Sequence, residues 1–392
     1  MDATTNPFAP GAGHQPPELA GRSKIINDAT VALGRVKLGR PVKSQMLLGL
    51  RGVGKTVLLV RIASIAEGQG YQSFMLEAPE GKRLAEILVP HLRQVLLKLS
   101  RLEQAKDVAR RGLGVLRSFA KTVKVKMGEI EISIEPETGT ADSGSLETDL
   151  PEVLLAVANA AQGAGSGVAL CIDEVQYLSE SDLAALIVSC HKMAQKNLPL
   201  VVFGAGLPQI AALAGEAKSY AERLFDYPPV GPLTDAAARE AVATPIRREG
   251  AEITDEALTE IVQRTRGYPY FLQEWGSHAW NVAVAAPITV DDVRAATATA
   301  LTALDESFFK VRLDRLTPRE KDYVRAMAEL GAGPHRSGEI AKILGLKVNE
   351  AGSLRDKLIK KGMIYSPQHG DTAFTVPMFD DFMKRSMPEW KP

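Results

Sequence analysis

The sequence predicts an α/β fold: a parallel sheet flanked by helices around a phosphate-binding loop, then a helical domain, then a winged helix-turn-helix domain. Three observations predict it. Apolar, strand-like runs alternate with helical periodicity from Gly21 to about Leu213. A glycine-rich segment, Gly49-Leu-Arg-Gly-Val-Gly-Lys-Thr56, stands between one such run and a helix. Near the C-terminus, three helical segments are followed by two short strand-like runs.

Taken in order, residues 1–18 are rich in Pro and Gly and read as an extended, poorly ordered lead-in. Residues 19–233 form the α/β core. Its buried strands are MLLGL (46–50), YQSFMLEA (71–78), VALCIDE (168–174) and LPLVVFGAG (198–206). The stretch 101–146 reads as an insertion into that rhythm. A helix, LEQAKDVARRGLGVLRSFA, leads into a hairpin around Met127-Gly128. In that register Lys126 faces Glu129 and Lys124 faces Glu131, while Val125 faces Ile130 and Val123 faces Ile132. The loop PETGTADSGS follows. This insertion is either a structural elaboration or an arm for a partner. Residues 234–304 read as a small helical domain, with Ser, Thr and Asp residues placed as N-caps. Residues 305–392 carry the winged helix pattern, with Thr317 as N-cap and a proline in the first turn of its first helix.

Lys plus Arg and Asp plus Glu are each 47 of 392 residues, so the net charge is zero. No global pull toward nucleic acid or membrane follows, and any charged surface must be local. Two cysteines, Cys171 and Cys190, make no disulfide framework and no metal spacing. The N-terminus has no secretory pattern, and no apolar run is long enough to span a bilayer. The expected location is the cytoplasm, away from membranes.

The segment Gly49–Thr56 has the spacing of a phosphate-binding loop. Its glycines let backbone N–H groups turn toward phosphate oxygens, and the following helix start adds partial positive charge. Gly49, Leu50, Arg51, Gly52, Val53, Gly54, Lys55, Thr56 and Val57 are the candidate nucleotide contacts. Lys55 is placed to reach the β and γ phosphates of ATP, and the Thr56 hydroxyl to coordinate Mg²⁺. The apolar run Val168–Ile172 ends in Asp173-Glu174. Asp173 is the second candidate for holding Mg²⁺, and Glu174 the candidate base for the attacking water. The run LPLVVFGAG ends in Gly204-Ala205-Gly206 and offers no polar side chain to position that water. Slow hydrolysis is expected, unless another group takes the role. Arg223, at the end of a helix, reads either as a residue that reaches the γ-phosphate of a neighbouring subunit or as a surface partner of Glu222 or Asp226.

These pieces, with Leu19-Ala20-Gly21-Arg22, Gly267-Tyr268-Pro269 and the terminal winged helix, resemble the AAA+ ATPases of the origin-recognition type and the related STAND signalling NTPases. The resemblance implies that Arg22 lies near the nucleotide, that the helical domain is a lid, and that Pro269 lies beside the nucleotide. A nucleotide-dependent homo-oligomer is the expectation that goes with the reading of Arg223 as reaching a neighbouring subunit. Two departures stand out. The arginine nearest the expected lid position is Arg266, just before the glycine, and Met378-Phe379-Asp380 carries phenylalanine where STAND proteins carry a histidine.

The winged helix divides the readings. In one, a helix over 347–361 enters the major groove of double-stranded DNA and presents Lys347, Arg355, Lys357, Lys360 and Lys361, diluted by Glu350 and Asp356. In the other, the domain packs on the lid, holds an inactive state and meets protein partners.

Overall fold

The computed structural model describes residues 1–11, 13–78, 80–125 and 135–391. The chain divides into two compact units. One is Ser23–Gly49 with Lys55–Pro229, and the other is Met1–Arg22 with Leu50–Gly54 and Val230–Pro392.

In order, the first unit contains α1 (Ser23–Lys37), β1 (Ser44–Leu48), α2 (Lys55–Gly68), β2 (Gln72–Glu77), α3 (Leu84–Leu99), α4 (Lys106–Thr122) and α5 (Leu146–Gly163). It continues with β3 (Val168–Asp173), α6 (Glu180–Gln195), β4 (Leu200–Gly206), α7 (Ile210–Ala217), α8 (Ala221–Leu224) and β5 (Phe225–Asp226). The five strands pair in parallel in the order β2-β3-β4-β1-β5. Leu170 of β3 lies opposite Phe74 on one side and Val202 on the other. Every residue of β3 and β4 is buried, as expected for central parallel strands covered on both faces.

The insertion is partly core. Ala109, Leu113, Leu116 and Phe119 of α4 are buried in the same apolar cluster as α3 and α5. Burying this face stabilises the helical layer by roughly 1.5–3 kcal/mol per large side chain, so α4 is a structural part of the unit. The hairpin expected around Met127-Gly128 lies outside the described residues. The expected loop is present: the Gly139 N–H donates to the Asp142 carboxylate at 2.9 Å, and the Ser143 hydroxyl to Asp149 at 2.7 Å.

The second unit contains α9 (Asp235–Arg248), α10 (Asp255–Thr265), α11 (Pro269–Val282), α12 (Val290–Leu304) and α13 (Lys310–Leu313). Then come α14 (Pro318–Leu330), β6 (His335–Arg336), α15 (Ser337–Ile343), α16 (Val348–Lys360), β7 (Ile364–Tyr365), β8 (Asp371–Phe374) and α17 (Phe379–Ser386). Thr234, Thr254 and Thr289 cap α9, α10 and α12 by accepting a backbone N–H three residues on. One π-helical turn, Asp305–Phe309, joins α12 to α13. Helical backbone therefore runs through the boundary expected after residue 304.

Helices α14, α15 and α16 and the antiparallel sheet β6-β8-β7 make the winged helix arrangement. It shares one apolar cluster with the helices before it. Phe309 stacks on Phe382 of α17 at 5.0 Å between centroids, and Arg385 grips both carboxylate oxygens of Asp305 at 2.6 and 3.1 Å. The lead-in is extended but anchored: Phe8 is buried in this cluster, and the Trp280 indole N–H donates to the Asp2 carbonyl at 2.8 Å.

Candidate nucleotide site

The loop leaves β1 at Leu48, and α2 begins at Lys55. Gly52 and Gly54 hold φ of +83° and +88°, the left-handed region that L side chains rarely adopt. A Cβ on Gly54 would meet nothing within 4 Å, so the glycine is required by backbone conformation and not by space. The Gly49 N–H donates to the Gly206 carbonyl at 3.0 Å, which ties the loop start to the end of β4.

Lys55 is only 7% exposed, and its ammonium donates to the Gly49 carbonyl at 3.0 Å. Asp173 closes β3 at 5% exposure. Its Oδ2 accepts the Thr56 hydroxyl at 2.5 Å, and its Oδ1 accepts the Glu174 N–H at 2.8 Å. Burial pushes the Asp173 carboxyl above its ordinary range, against the pull of these hydrogen bonds and of Lys55. A buried carboxylate beside a hydroxyl, both oxygen donors, suits a hard divalent cation that shares its shell with phosphate. Among the described residues no group of three or more His, Cys, Asp or Glu side chains could hold a metal by itself. Thr56 and Asp173 alone would leave most of such a cation's shell to other oxygen donors, such as water or phosphate.

Glu174 adopts the left-handed conformation, φ 53° and ψ 39°. Its carboxylate accepts the side-chain N–H of Gln176. Sequence reasoning passed over Gln176, although its place two residues after the Asp-Glu pair was a readable signal. Arg223 lies exposed on α8, and Asp226, one of the two partners expected on the surface reading, pairs with Lys43 at 3.6 Å. The side chains of Cys171 and Cys190 are buried, and burial pushes both thiols up to about 12, which leaves them unreactive.

In the second unit, Leu50–Gly54 is held by three groups. The Arg22 guanidinium is buried and donates to the carbonyls of Val53 and Gly231 at 3.1 and 2.6 Å. Tyr270, one residue after Pro269 at the start of α11, donates its N–H to the Gly52 carbonyl at 3.2 Å. The Arg51 N–H donates to the carbonyl of Thr375, just after β8, at 3.0 Å. The Arg22 side chain thus holds the loop itself, and Pro269 adjoins a loop contact. Tyr270 and Thr375 were not legible as loop partners, because residues so distant in sequence meet here only through the fold.

The profile of the AAA ATPase domain matches residues 18–203, which span this loop, Asp173 and Glu174. Residues 18–203 are an AAA ATPase domain. Residues 306–383 match a second profile, described as a domain of unknown function (DUF8462). Sequence similarity extends to an uncharacterized HTH-type transcriptional regulator of Methanocaldococcus jannaschii, 24% identical over 220 residues. That match covers 52% of this chain and 51% of the relative, so the chain spans about half the length of the curated relative it matches. A Walker-type ATPase of Pyrococcus abyssi has the same fold: TM-score 0.59, 17% identity, 93% of this chain and 96% of that one covered. The ORC1 protein of Aeropyrum pernix, solved in complex with DNA, aligns at TM-score 0.48 and 14% identity over 96% of this chain and 94% of that one. The AAA ATPase domain implies nucleotide binding, usually with a divalent metal. No helix among the described residues is long and apolar enough to cross a membrane.

Two of the five cations expected to face DNA are occupied within the fold. Arg355 donates to the Thr372 hydroxyl at 2.9 Å and the Asp371 carbonyl at 3.0 Å. Lys361 donates to Glu320 at 2.7 Å and to the Arg315 carbonyl at 2.9 Å. These contacts join α16 to the wing and to the start of α14, so neither cation is presented to a duplex. Lys347, Lys357 and Lys360 are exposed. Arg266, also exposed, lies 3.4 Å from Asp381.

Proposed function

We propose that the chain binds ATP with Mg²⁺ at Gly49–Thr56, hydrolyses it slowly through Glu174, and uses nucleotide state to control a winged helix that binds double-stranded DNA. The observation that carries this reading is the double engagement of Leu50–Gly54. Its Arg51 N–H is bonded to Thr375 of the winged helix, and its Gly52 carbonyl to Tyr270 of α11. A triphosphate that reshapes this loop would alter both hydrogen bonds, and with them the balance of winged helix conformations.

Lys55 would neutralise the β and γ phosphates, and Thr56 and Asp173 would hold Mg²⁺ against them. The metal supplies charge stabilisation to the transferring phosphoryl group. Glu174 would take the proton of the attacking water. Lys347, Lys357 and Lys360 support the DNA reading, as does the regulator named among the relatives. With three of the five expected cations exposed and a chain of zero net charge, affinity for duplex DNA should be modest and salt-sensitive. The exposed Arg223 supports a nucleotide-dependent homo-oligomer in which it meets the site of a neighbouring copy, and mass measurement in solution with ADP and with a non-hydrolysable ATP analogue tests that part.

A second reading is favoured by the Phe309–Phe382 stack and the Arg385–Asp305 pair. On it the winged helix is a packed element of a signalling switch and meets protein, not DNA. A gel-shift titration with random duplex DNA, at low and high salt and with and without ATP, separates the two. Salt-sensitive, nucleotide-dependent binding supports the first, and no binding at low salt supports the second.

A further inference from the structure

We propose that Gln176 is a positioning residue for Glu174, standing in for the polar side chain that β4 lacks at its end. The inference rests on the reading of Glu174 as general base.

After β3 the chain turns sharply. Glu174 is left-handed, and a single turn of 3-10 helix follows over Val175–Tyr177, closed by the Tyr177 N–H on the Glu174 carbonyl at 3.0 Å. That turn carries the side chain of residue 176 back over residue 174. The Gln176 Nε2 donates to the Glu174 Oε2. The Oε1 of the same carboxamide accepts the Leu207 N–H, just beyond β4, at 3.2 Å. A carboxamide carries a donor and an acceptor on one rigid plane, and both are used here. One end is fixed to backbone, so the other holds the carboxylate at a set orientation and leaves Glu174 Oε1 to meet water.

Gly206 makes this possible. A Cβ at that position would lie 2.2 Å from Gln176 Oε1 and 2.3 Å from Ile210 Cδ1. A side chain growing from the end of β4 and the Gln176 carboxamide therefore exclude each other. The missing polar group at residues 204–206 is the condition for a polar group arriving from the loop after β3. A carboxylate left to swing among rotamers spends less time in the geometry that accepts the water's proton.

The test uses the full chain. Steady-state ATP turnover is measured for the wild type, Glu174→Gln, Gln176→Ala, Gly206→Ala and the Gln176→Ala/Gly206→Ala double variant. Gln176→Ala should lower kcat by roughly 10- to 100-fold and leave the KM for ATP within about twofold. Gly206→Ala should reproduce this by displacing the carboxamide, and the double variant should be no slower than either single one. Should Gly206→Ala fail to fold, the kcat-against-KM split of Gln176→Ala decides alone. Wild-type kcat in Gln176→Ala, or single losses that multiply in the double variant, would overturn the inference while leaving the ATPase reading in place. A wild type without turnover, or Glu174→Gln as fast as wild type, would instead overturn the reading of Glu174 and this inference with it.

Discussion

Two regions carry the charges that matter here, and they hold them differently. At the carboxyl ends of the central strands, Lys55 and Asp173 are 7% and 5% exposed. On and just before α16, Lys347, Lys357 and Lys360 lie in water. Keeping an ammonium and a carboxylate out of water opposes folding unless something compensates; the Gly49 carbonyl, the Thr56 hydroxyl and the Glu174 N–H do so here, and on the proposed reading a bound Mg-nucleotide adds to it. Exposed lysines impose no such cost, and a solvated helix face explains them as well as a duplex does. The nucleotide site therefore stands on firmer physical ground than the DNA face, and each experiment below probes one side of that contrast.

The largest effect belongs to the chemistry. Glu174→Gln keeps the shape and removes the proposed base, so turnover should fall by about 10²–10⁴-fold while ATP binding stays near wild type. Single-turnover hydrolysis and equilibrium binding on the same protein check it, and equal losses in both would place Glu174 in binding instead. Next comes Asp173→Asn. Burial disfavours the charged carboxyl, so the neutral amide should raise the Tm of the ligand-free protein, by roughly 2–4 °C per kcal/mol recovered. The extra stabilisation by Mg-ATP should vanish in the same scan. A lower Tm without ligand would mean that the charge is compensated inside the protein, not by a bound cation.

On α16, Arg355→Ala and Lys357→Ala should part company. Arg355 holds β8 by two charge-assisted hydrogen bonds, so its loss should cost about 2 kcal/mol of stability, read by denaturant titration. Lys357→Ala should leave stability alone and reduce the slope of log K against log salt for DNA by about 0.9. An unchanged slope would favour the protein-partner reading.

Much of the fold was legible because buried parallel strands are written as continuous apolar runs. The four long strands lie within two residues of the runs that predicted them at either end. The two-residue strands β5 and β6 were not legible, since Phe225–Asp226 and His335–Arg336 carry no periodicity and exist only through their partners. At the site, local spacing named Lys55 and Thr56, which open α2, and Asp173 and Glu174, which stand at the end of β3. It could not name Tyr270 or Thr375 as contacts, because each acts on a residue that only the fold brings near; Gln176, two residues after the Asp-Glu pair, was readable and was passed over. It also overcounted cations on α16, because a sequence shows charge but not whether Arg355 and Lys361 are already occupied.

The claim on which the rest depends is that Lys55 and the amides around it hold a triphosphate. Isothermal titration of ATP with Mg²⁺ into the intact chain and into Lys55→Ala tests it most directly. One site per chain is expected, weakened in the variant by at least about 2 kcal/mol, roughly 30-fold in affinity. Equal affinity in the two proteins, with Lys55→Ala folded to the same Tm, would contradict it.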